Sequence, residues 1–323
     1  MPQSGLVIVA KPGGMTSHDV VARMRKLAGT RRVGHAGTLD PMATGVLVIG
    51  IEKATRLLGH LTLTEKDYLA TIRLGQSTVT DDAEGDILSP DDGAMPVNSV
   101  TREALHAALA DLTGEIQQVP PKVSAIKVKG QRAYHLTRSG AAPELTARPV
   151  TIWRLDLLAI RPAGELLDID IEVTCSSGTY IRALARDLGV ALRTGGHLTE
   201  LRRTRVGPYR IDEARTLEQL AEHVDIIPLA RAAAEAFPSV QLNETETRLI
   251  SHGVRLPASP EVMASRVVAP MPAAAGTVAH SSEPGASSIR AGEPIAAFAP
   301  DGSLIALVTE REAELQPVAV FVP

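Results

Sequence analysis

A segment punctuated by glycines, residues 34–45, constrains the fold of this chain more than any other stretch. It holds a single carboxylate, Asp40, directly before Pro41, and it ends at the apolar run 46–51. Glycine lets the backbone adopt positive φ or pass close to a ligand, and proline biases the preceding residue toward an extended conformation. The apolar run predicts a buried strand that holds the loop rigid. The segment therefore presents Asp40 as a candidate reactive group, although Asp-Pro turns also stabilise loops without a chemical role.

The composition is typical of a globular protein. The 323 residues, 44% of them hydrophobic, suffice for one large domain and one small one. Cys175 is the only cysteine, which excludes an internal disulfide and a zinc site built from several cysteines. The run 6–10 is too short for the core of a signal peptide, and no later apolar run could span a bilayer. We therefore expect a soluble, cytoplasmic protein with no membrane partner.

The charge distribution says more than the net charge. A net charge of −4 argues by itself against a nucleic-acid partner, because phosphate binding relies on clustered Lys and Arg. However, residues 182–210 hold seven arginines against two carboxylates, and a second basic cluster at 23–32 precedes the Asp40 segment. Each cluster alone is typical of a solvated helix face. Because together they flank two candidate site motifs, they favour an RNA-binding surface.

Hydrophobic periodicity predicts an α+β fold. Alternating residues predict strands at 68–74 and 167–173, in addition to the apolar strand at 6–10. Helical spacing predicts helices that begin after Ser17, Thr101 and Thr179, with Ser17 and Thr101 as N-caps. Because strands and helices do not alternate regularly, a doubly wound parallel sheet is disfavoured.

The chain changes character near residue 235. The elements predicted beyond it are a helix and the two strands of a hairpin around a Pro-Asp-Gly turn: 241–250, 294–298 and 304–308. Residues 257–293 are rich in Ala, Pro, Ser and Gly and predict a disordered insertion. We therefore expect a catalytic domain over 1–235 and a small β-rich domain over 236–323.

Six motifs follow one another before residue 183. They are residues 11–17, 34–45, 66–68, 74–85, 119–134 and 175–182. In this order they resemble the motifs of the bacterial tRNA pseudouridine-55 synthases, the TruB family of pseudouridine synthases. The resemblance implies a mixed, largely antiparallel central sheet with the active-site cleft across it, and a C-terminal domain of the RNA-binding, PUA-like kind.

The resemblance also implies the partner. Residues 117–140, a basic stretch with two prolines, match a thumb-like excursion that closes over the T-arm of tRNA. The expected partner is therefore the T-arm stem-loop of tRNA, bound by a monomer with no obligate protein partner. The family needs no cofactor and no metal.

The implied reaction converts uridine-55 in the T-loop of tRNA to pseudouridine. The C–N glycosidic bond breaks, the base rotates, and the base is rejoined through C5 without a redox step. Asp40 matches the catalytic aspartate of the family. Attack at ribose C1′, addition at uracil C6 and removal of a ribose proton all stay open as its route. Arg182 matches the guanidinium that keeps this carboxylate ionised.

The resemblance assigns roles to five further residues. His35 matches the residue that fills the space left by the flipped base, and Tyr68 matches the aromatic that stacks on uracil and assists removal of the C5 proton. Tyr180 and Leu201 match pocket residues, and Lys11 supports the loop or a phosphate. Without the resemblance, His35 would be a turn residue, and Tyr68 and Leu201 would be core residues.

Four other functions compete with this interpretation. A phosphate-binding loop around Asp40 is disfavoured because no Gly-Lys-Ser/Thr follows. A metal-dependent hydrolase could use the acidic residues Asp81, Asp82, Glu84 and Asp86, which otherwise suit a solvated loop. A non-catalytic protein that binds or folds tRNA is the strongest rival, and a synthase acting on another RNA would keep the chemistry and change the substrate.

Overall fold

The computed structural model describes residues 3–90, 93–121, 145–258 and 292–322, with short strands at 127–128, 131–132 and 267–268. The predicted excursion 117–140 and the predicted insertion 257–293 therefore lie largely outside the described residues.

Strands outnumber helices in the described part of the chain. In chain order the strands are β1 (Gly5–Lys11), β2 (Val33–Ala36), β3 (Thr44–Ile51), β4 (Lys66–Leu74), β5 (Gly114–Gln118), β6 (Lys127–Val128), β7 (Gln131–Arg132), β8 (Arg148–Ala163), β9 (Leu166–Cys175), β10 (Gly196–Val206), β11 (Tyr209–Arg210), β12 (Ile227–Pro228), β13 (Ser239–Gln241), β14 (Leu256–Pro257), β15 (Val267–Val268), β16 (Pro294–Phe298), β17 (Leu304–Arg311) and β18 (Glu314–Val320). The helices are α1 (Ser17–Leu27), α2 (Leu58–Leu61), α3 (Arg102–Asp111), α4 (Ile181–Ala191), α5 (Leu217–Glu222), α6 (Leu229–Ala236) and α7 (Glu244–Ser251).

A ten-stranded sheet forms the body of the molecule. Its strand order is β12-β1-β3-β10-β4-β9-β8-β5, with β2 paired to β3 and β11 paired to β10. Of the strand pairs described in this sheet, only β3 with β10 is parallel. The mixed, largely antiparallel sheet predicted for this chain is therefore confirmed. The parallel pair brings the strand after the Asp40 segment against the arginine-rich stretch.

Alternating sequences explain the central strands. In β9 the buried residues Ile169, Ile171, Val173 and Cys175 alternate with half-buried polar ones, which is the period-2 pattern of a strand with one face in the core. Helices α3 and α4 supply Leu105, Leu184 and Leu188 to that core. Within the part of the chain that the structure describes, no helix is both long and apolar enough to cross a membrane.

The predicted N-caps are right in one case and wrong in the other. Thr101 caps α3, and its side chain accepts a hydrogen bond from the backbone N–H of Ala104. Ser17 does not cap α1, because Thr16 occupies that position and forms a reciprocal capping box with Asp19. The Ser17 side chain is buried and bonds to Leu39 instead, so the start of α1 holds the loop that carries Asp40.

A second sheet is built from the C-terminal part of the chain, with strand order β14-β18-β17-β16-β13-β15. The predicted hairpin is confirmed as β16 and β17, and Gly302 in its turn has a φ of 81°. The predicted helix 241–250 begins later, because Gln241 ends β13 and Asn243 caps α7. One face of this sheet, including Phe298 and Leu307, shares a buried cluster with residues of β1 and β3.

Candidate active site

Asp40 lies in residues 37–43, which connect β2 to β3 and are called the Asp40 loop below. Neighbouring elements hold this loop from two sides. The Ser17 hydroxyl donates to Leu39 O at 3.1 Å and accepts from Leu39 N at 2.9 Å. The Lys11 ammonium donates to Pro41 O at 3.2 Å. The loop is therefore fixed on both sides of Asp40.

Arg182 contacts both carboxylate oxygens of Asp40. Its Nε lies 2.9 Å from Asp40 Oδ2, and its Nη2 donates to Oδ1 at 3.1 Å. The third nitrogen, Nη1, donates to Thr80 O at 3.0 Å and lies 3.3 Å from Asp82 Oδ2. The Arg182 side chain is 6% exposed, whereas that of Asp40 is 32% exposed. The carboxylate is thus oriented from behind by a buried cation while it stays accessible from outside.

The acidic run after β4 serves as a source of counter-ions. The buried Asp82 contacts Arg182, and its Oδ1 accepts from the Thr80 hydroxyl at 2.5 Å. Asp81 contacts Arg186, one helical turn further along α4, at 3.1 Å. In the described part of the chain, no group of three or more His, Cys, Asp and Glu side chains is arranged to hold a metal ion. Asp82 is a site residue that sequence reasoning treated as part of a solvated loop.

Tyr68 is a buried residue of β4, and only 6% of it is exposed. It belongs to the same buried cluster as Leu39, Ala43 and Leu201. Burial raises the pKa of the Tyr68 phenol to about 12, and the charge and a hydrogen bond of Arg203 oppose that rise. The phenol is therefore neutral at physiological pH and lies close to the Asp40 loop.

Lys11 is buried at the end of β1. Its ammonium donates to Pro12 O at 2.8 Å as well as to Pro41 O. Burial lowers its pKa to about 8, against the opposing effect of Asp40. These contacts fit a support for the loop better than a phosphate ligand, because the donors point at backbone carbonyls.

His35 lies in the strand before the Asp40 loop, and Tyr180 lies directly before the helix that carries Arg182. His35, in β2, meets His18 of α1 edge to face with ring centroids 5.6 Å apart. Burial lowers the pKa of His35, and His18 adds to this effect. Tyr180 directly precedes α4, where its backbone N–H donates to Gln118 Oε1 at 2.7 Å.

A pocket of about 600 Å³ opens beside the Asp40 loop. Met42 and Thr44 line it from the loop side and Leu201 lines it from β10, whereas Asp40 and Tyr68 are not among its lining residues. A volume of this order is in the range of small-ligand sites. Of the predicted site residues, Leu201 lines this pocket, and it is 8% exposed.

Arg203 is a site residue that sequence reasoning assigned only to a basic cluster. It is 1% exposed, and its guanidinium donates to Val46 O at 2.8 Å, Gly37 O at 3.0 Å and Thr38 O at 3.3 Å. The alternation of a β-strand could have identified Arg203 as a buried residue. Leu201 and Arg203 are two positions apart in β10, so their side chains lie on the same face of the strand.

Much of the predicted basic surface at 182–210 is used inside the protein. Four of its seven arginines are buried or half-buried and bind carboxylates or backbone carbonyls of the fold: Arg182, Arg186, Arg203 and Arg205. The buried members of this cluster therefore stabilise the fold, and the RNA-binding surface stays a prediction that its exposed members can serve.

Comparisons with known proteins agree along the whole chain. The family model for the N-terminal domain of the TruB family pseudouridylate synthases matches residues 25–181. The model for the tRNA pseudouridylate synthase B C-terminal domain matches residues 182–233, and the tRNA pseudouridine synthase II C-terminal model matches 286–322.

Two curated relatives illustrate the similarity. The chain is 59% identical to tRNA pseudouridine synthase B of Arthrobacter sp. (strain FB24), over 99% of this chain and 97% of that protein. It is 53% identical to tRNA pseudouridine synthase B of Thermobifida fusca (strain YX), over 98% of each chain.

Solved structures with a similar fold come from complexes that contain Cbf5. A chain of a Cbf5-Nop10-Gar1 complex is 26% identical, with a TM-score of 0.70 over 99% of this chain and 86% of that one. A chain of an archaeal box H/ACA sRNP Nop10-Cbf5 complex is 25% identical, with a TM-score of 0.67 over 100% of this chain and 87% of that one.

Proposed function

Because the chain belongs to the TruB family of pseudouridylate synthases, we propose that it converts uridine-55 in the T-loop of tRNA to pseudouridine. It is a tRNA pseudouridine synthase, an enzyme of the isomerase class. The observation that carries the choice of catalytic group is the accessible carboxylate of Asp40, held through both oxygens by the buried Arg182. In every route open to this chemistry, that carboxylate must be ionised and must reach the nucleotide.

Asp40 acts on the glycosidic bond in this proposal. It attacks ribose C1′, adds to uracil C6 or removes a ribose proton, and in each case the bond between N1 and C1′ breaks. The base rotates, C5 bonds to C1′, and any bond that Asp40 formed is released or any ribose proton that it removed is returned. The C5 proton leaves to water and N1 takes up a proton, so that atoms and electrons balance. Arg182 stabilises the ionised carboxylate and fixes its orientation, because a guanidinium binds both oxygens of a carboxylate in one plane.

Tyr68 contacts the uracil and takes part in removal of the C5 proton. Its phenol is neutral at physiological pH, because burial raises its pKa to about 12. A neutral phenol accepts a proton only as it passes its own proton on, so Tyr68 acts as a relay or as a stacking surface, not as a phenolate base.

The remaining predicted residues shape the space around the flipped nucleotide. His35 fills the gap left in the T-loop, and Tyr180 and Leu201 contact the base or ribose. Lys11 holds the loop through Pro41 O. Leu201 supports this assignment because it lines the pocket next to the Asp40 loop.

The domains have separate roles in the proposal. Residues 1–235 carry the catalytic site and 236–323 form a PUA-like RNA-binding domain. The protein acts as a monomer on the T-arm, without an obligate protein partner, a cofactor or a metal, in the cytoplasm. The predicted thumb at 117–140 closes over the T-arm.

Mapping of pseudouridine in defined transcripts tests this function. Purified protein is incubated with an unmodified tRNA transcript and with a matched transcript whose uridine-55 is changed to cytidine. Carbodiimide labelling followed by primer extension locates each pseudouridine. The proposal predicts one modified position in the first transcript and none in the second. Tight binding of both transcripts with no pseudouridine in either would contradict it and favour a tRNA-binding or tRNA-folding protein.

A further inference from the structure

Arg203 lies between the two parts of the site that must act together. In β10 its backbone pairs with Gly45 of β3 on one side and with Tyr68 of β4 on the other. Residues that pair directly across strands project to the same face of a sheet. Arg203 therefore shares a face with Tyr68 and is attached to the strand that follows the Asp40 loop.

The contact with Gly45 is unusually close. A Cβ atom at Gly45 would lie 2.1 Å from Arg203 O, and Gly45 has a φ of 102°. The Arg203 side chain turns back to the start of the loop, where it donates to Gly37 O and Thr38 O. It also donates to Val46 O beyond the loop. One residue thus holds both ends of the segment that carries Asp40.

The positive charge of Arg203 is buried beside backbone carbonyls. Among the described residues, no carboxylate lies within 4 Å of its guanidinium, and its bonds to Val46, Gly37 and Thr38 all end at backbone carbonyls. Burying a cation without a counter-ion is costly, and a neutral polar residue could bind the same carbonyls at lower cost. The positive charge itself therefore calls for an explanation.

The charged groups around Arg203 provide one. Its charge acts on Lys11, His35, Lys66 and Tyr68. Of these, Tyr68 is the residue whose backbone pairs with Arg203 and whose side chain projects to the same face, and the positive charge of Arg203 favours negative charge on the phenol oxygen. Such a charge develops when a phenol relays a proton, and a cation fixed beside it stabilises that state.

We propose that Arg203 is a positioning residue that fixes the Asp40 loop and the Tyr68 phenol in one arrangement, and that its charge assists proton transfer through Tyr68. The proposal rests on the pseudouridine synthase function. It predicts two separable effects, one on the loop and one on chemistry.

The loop effect can be measured without turnover. Arg203→Lys keeps the charge and removes the planar fork, so the contacts with Gly37 and Thr38 cannot all be kept. Hydrogen exchange of the peptide covering residues 34–45 is compared in wild type, Arg203→Lys and Arg205→Lys. Arg205 lies on the same strand and binds Asp67, so Arg205→Lys is the matched control. We expect at least about tenfold faster exchange in this peptide for Arg203→Lys alone.

The chemical effect needs a double-mutant cycle. Single-turnover rates are measured on the unmodified tRNA transcript for wild type, Arg203→Gln, which removes the charge, Tyr68→Phe and the double variant. If the charge of Arg203 acts through Tyr68, Arg203→Gln lowers the rate about 100-fold in wild type and less than about tenfold in Tyr68→Phe. The tRNA dissociation constant stays unchanged in all four proteins, because none of these side chains is exposed enough to form the main RNA contact.

Each remaining outcome overturns part or all of the proposal. Equal fold-losses in both backgrounds, or exchange that rises over the whole protein, would indicate a purely structural role. Loss of the folded state in both Arg203→Lys and Arg203→Gln, seen by circular dichroism, would indicate the same. If wild type forms no pseudouridine, the proposed function fails, and faster exchange of the loop peptide in Arg203→Lys still separates the loop effect from that failure.

Discussion

Two buried arginines hold this site in different ways. Arg182 binds carboxylates, Asp40 and Asp82, whereas the acceptors of Arg203 on the protein backbone are carbonyls. The first arrangement orients a reactive group that stays accessible. The second fixes the chain around that group. The Asp40 carboxylate is therefore held by side chains that are themselves buried.

Replacement of Arg182 tests the contact with Asp40. Arg182→Lys retains a positive charge but cannot bind both Asp40 oxygens, Asp82 and Thr80 O from one position. We expect the single-turnover rate to fall at least about 100-fold with little change in tRNA affinity. Arg186→Lys, one turn along α4, is the control and should lose far less. Similar losses in both variants would show that the helix, not the ion pair, matters.

Lys66 gives a pH-dependent prediction. Its ammonium is buried and donates to Thr62 O and Thr64 O, and burial lowers its pKa to about 8 from the usual 10.5. Between these values the unfolded state binds more protons than the folded state, so the free energy of unfolding rises with pH. Relative to Lys66→Met, the wild-type protein should gain about 2 kcal/mol from pH 7 to pH 10.

Urea denaturation of both proteins at several pH values measures this difference. A difference between wild type and Lys66→Met that stays constant over this pH range would show that Lys66 titrates normally.

Secondary-structure elements with a clear period could be predicted from the sequence. The alternation in β4 and β9 and the caps of α3 depend on local residues, so the sequence contains their signal. The N-cap predicted at Ser17 is wrong because the partner of this side chain, Leu39, is 22 residues away. A contact of that kind leaves no local pattern.

Some residues of the candidate site could likewise be predicted from the sequence, and others could not. Asp40 and Arg182 could be assigned from motifs that resemble a family, and the structure brings them together. Asp82 and Arg203 could not be, because a buried charge looks like a surface charge until its partners are known. In β10 the exposed Arg202 and the buried Arg203 are adjacent in the sequence, so the sequence alone did not show which of them is buried.

Gly45 tests how closely the strands at the loop must approach. In Gly45→Ala the new Cβ would lie 2.1 Å from Arg203 O, at a φ of 102° that side chains rarely adopt. We expect the free energy of unfolding to fall by more than about 2 kcal/mol. Gly59→Ala, in α2 with no atom within 4 Å of its Cβ, should be neutral or stabilising.

Urea denaturation of the two glycine variants beside wild type provides the measurement. Equal stability of Gly45→Ala and wild type would mean that β3 and β10 can separate without cost.

The two sheets of the molecule share one apolar cluster. Phe298, Leu304 and Leu307 of the small sheet pack with Leu6 and Val46 of the large sheet. Because Val46 directly follows the Asp40 segment, the small sheet contributes to the rigidity of the strand behind the site. A shared core also predicts that the two sheets unfold together.

Leu307→Ala tests that coupling. Leu307 is fully buried, so the substitution should cost about 2–5 kcal/mol. Trp153, the only tryptophan, lies on β8 of the large sheet and reports that sheet alone by fluorescence. We expect the fluorescence transition and the circular dichroism transition to shift together. Val318→Ala, at a residue that is 45% exposed on β18, is the control and should shift neither by much.

An unchanged Trp153 transition in Leu307→Ala would contradict the shared core, because the large sheet would then be stable without the small one.

The central claim is that the Asp40 carboxylate performs the isomerisation, and Asp40→Asn tests it most directly. Tritium release from C5-tritiated uridine in an unmodified tRNA transcript is measured under single-turnover conditions for wild type and Asp40→Asn, together with the tRNA dissociation constant. Asparagine keeps the shape and removes the charge. The account predicts release by wild type, a rate at least about 1,000-fold lower in the variant, and unchanged tRNA binding. Release by Asp40→Asn near the wild-type rate would contradict it.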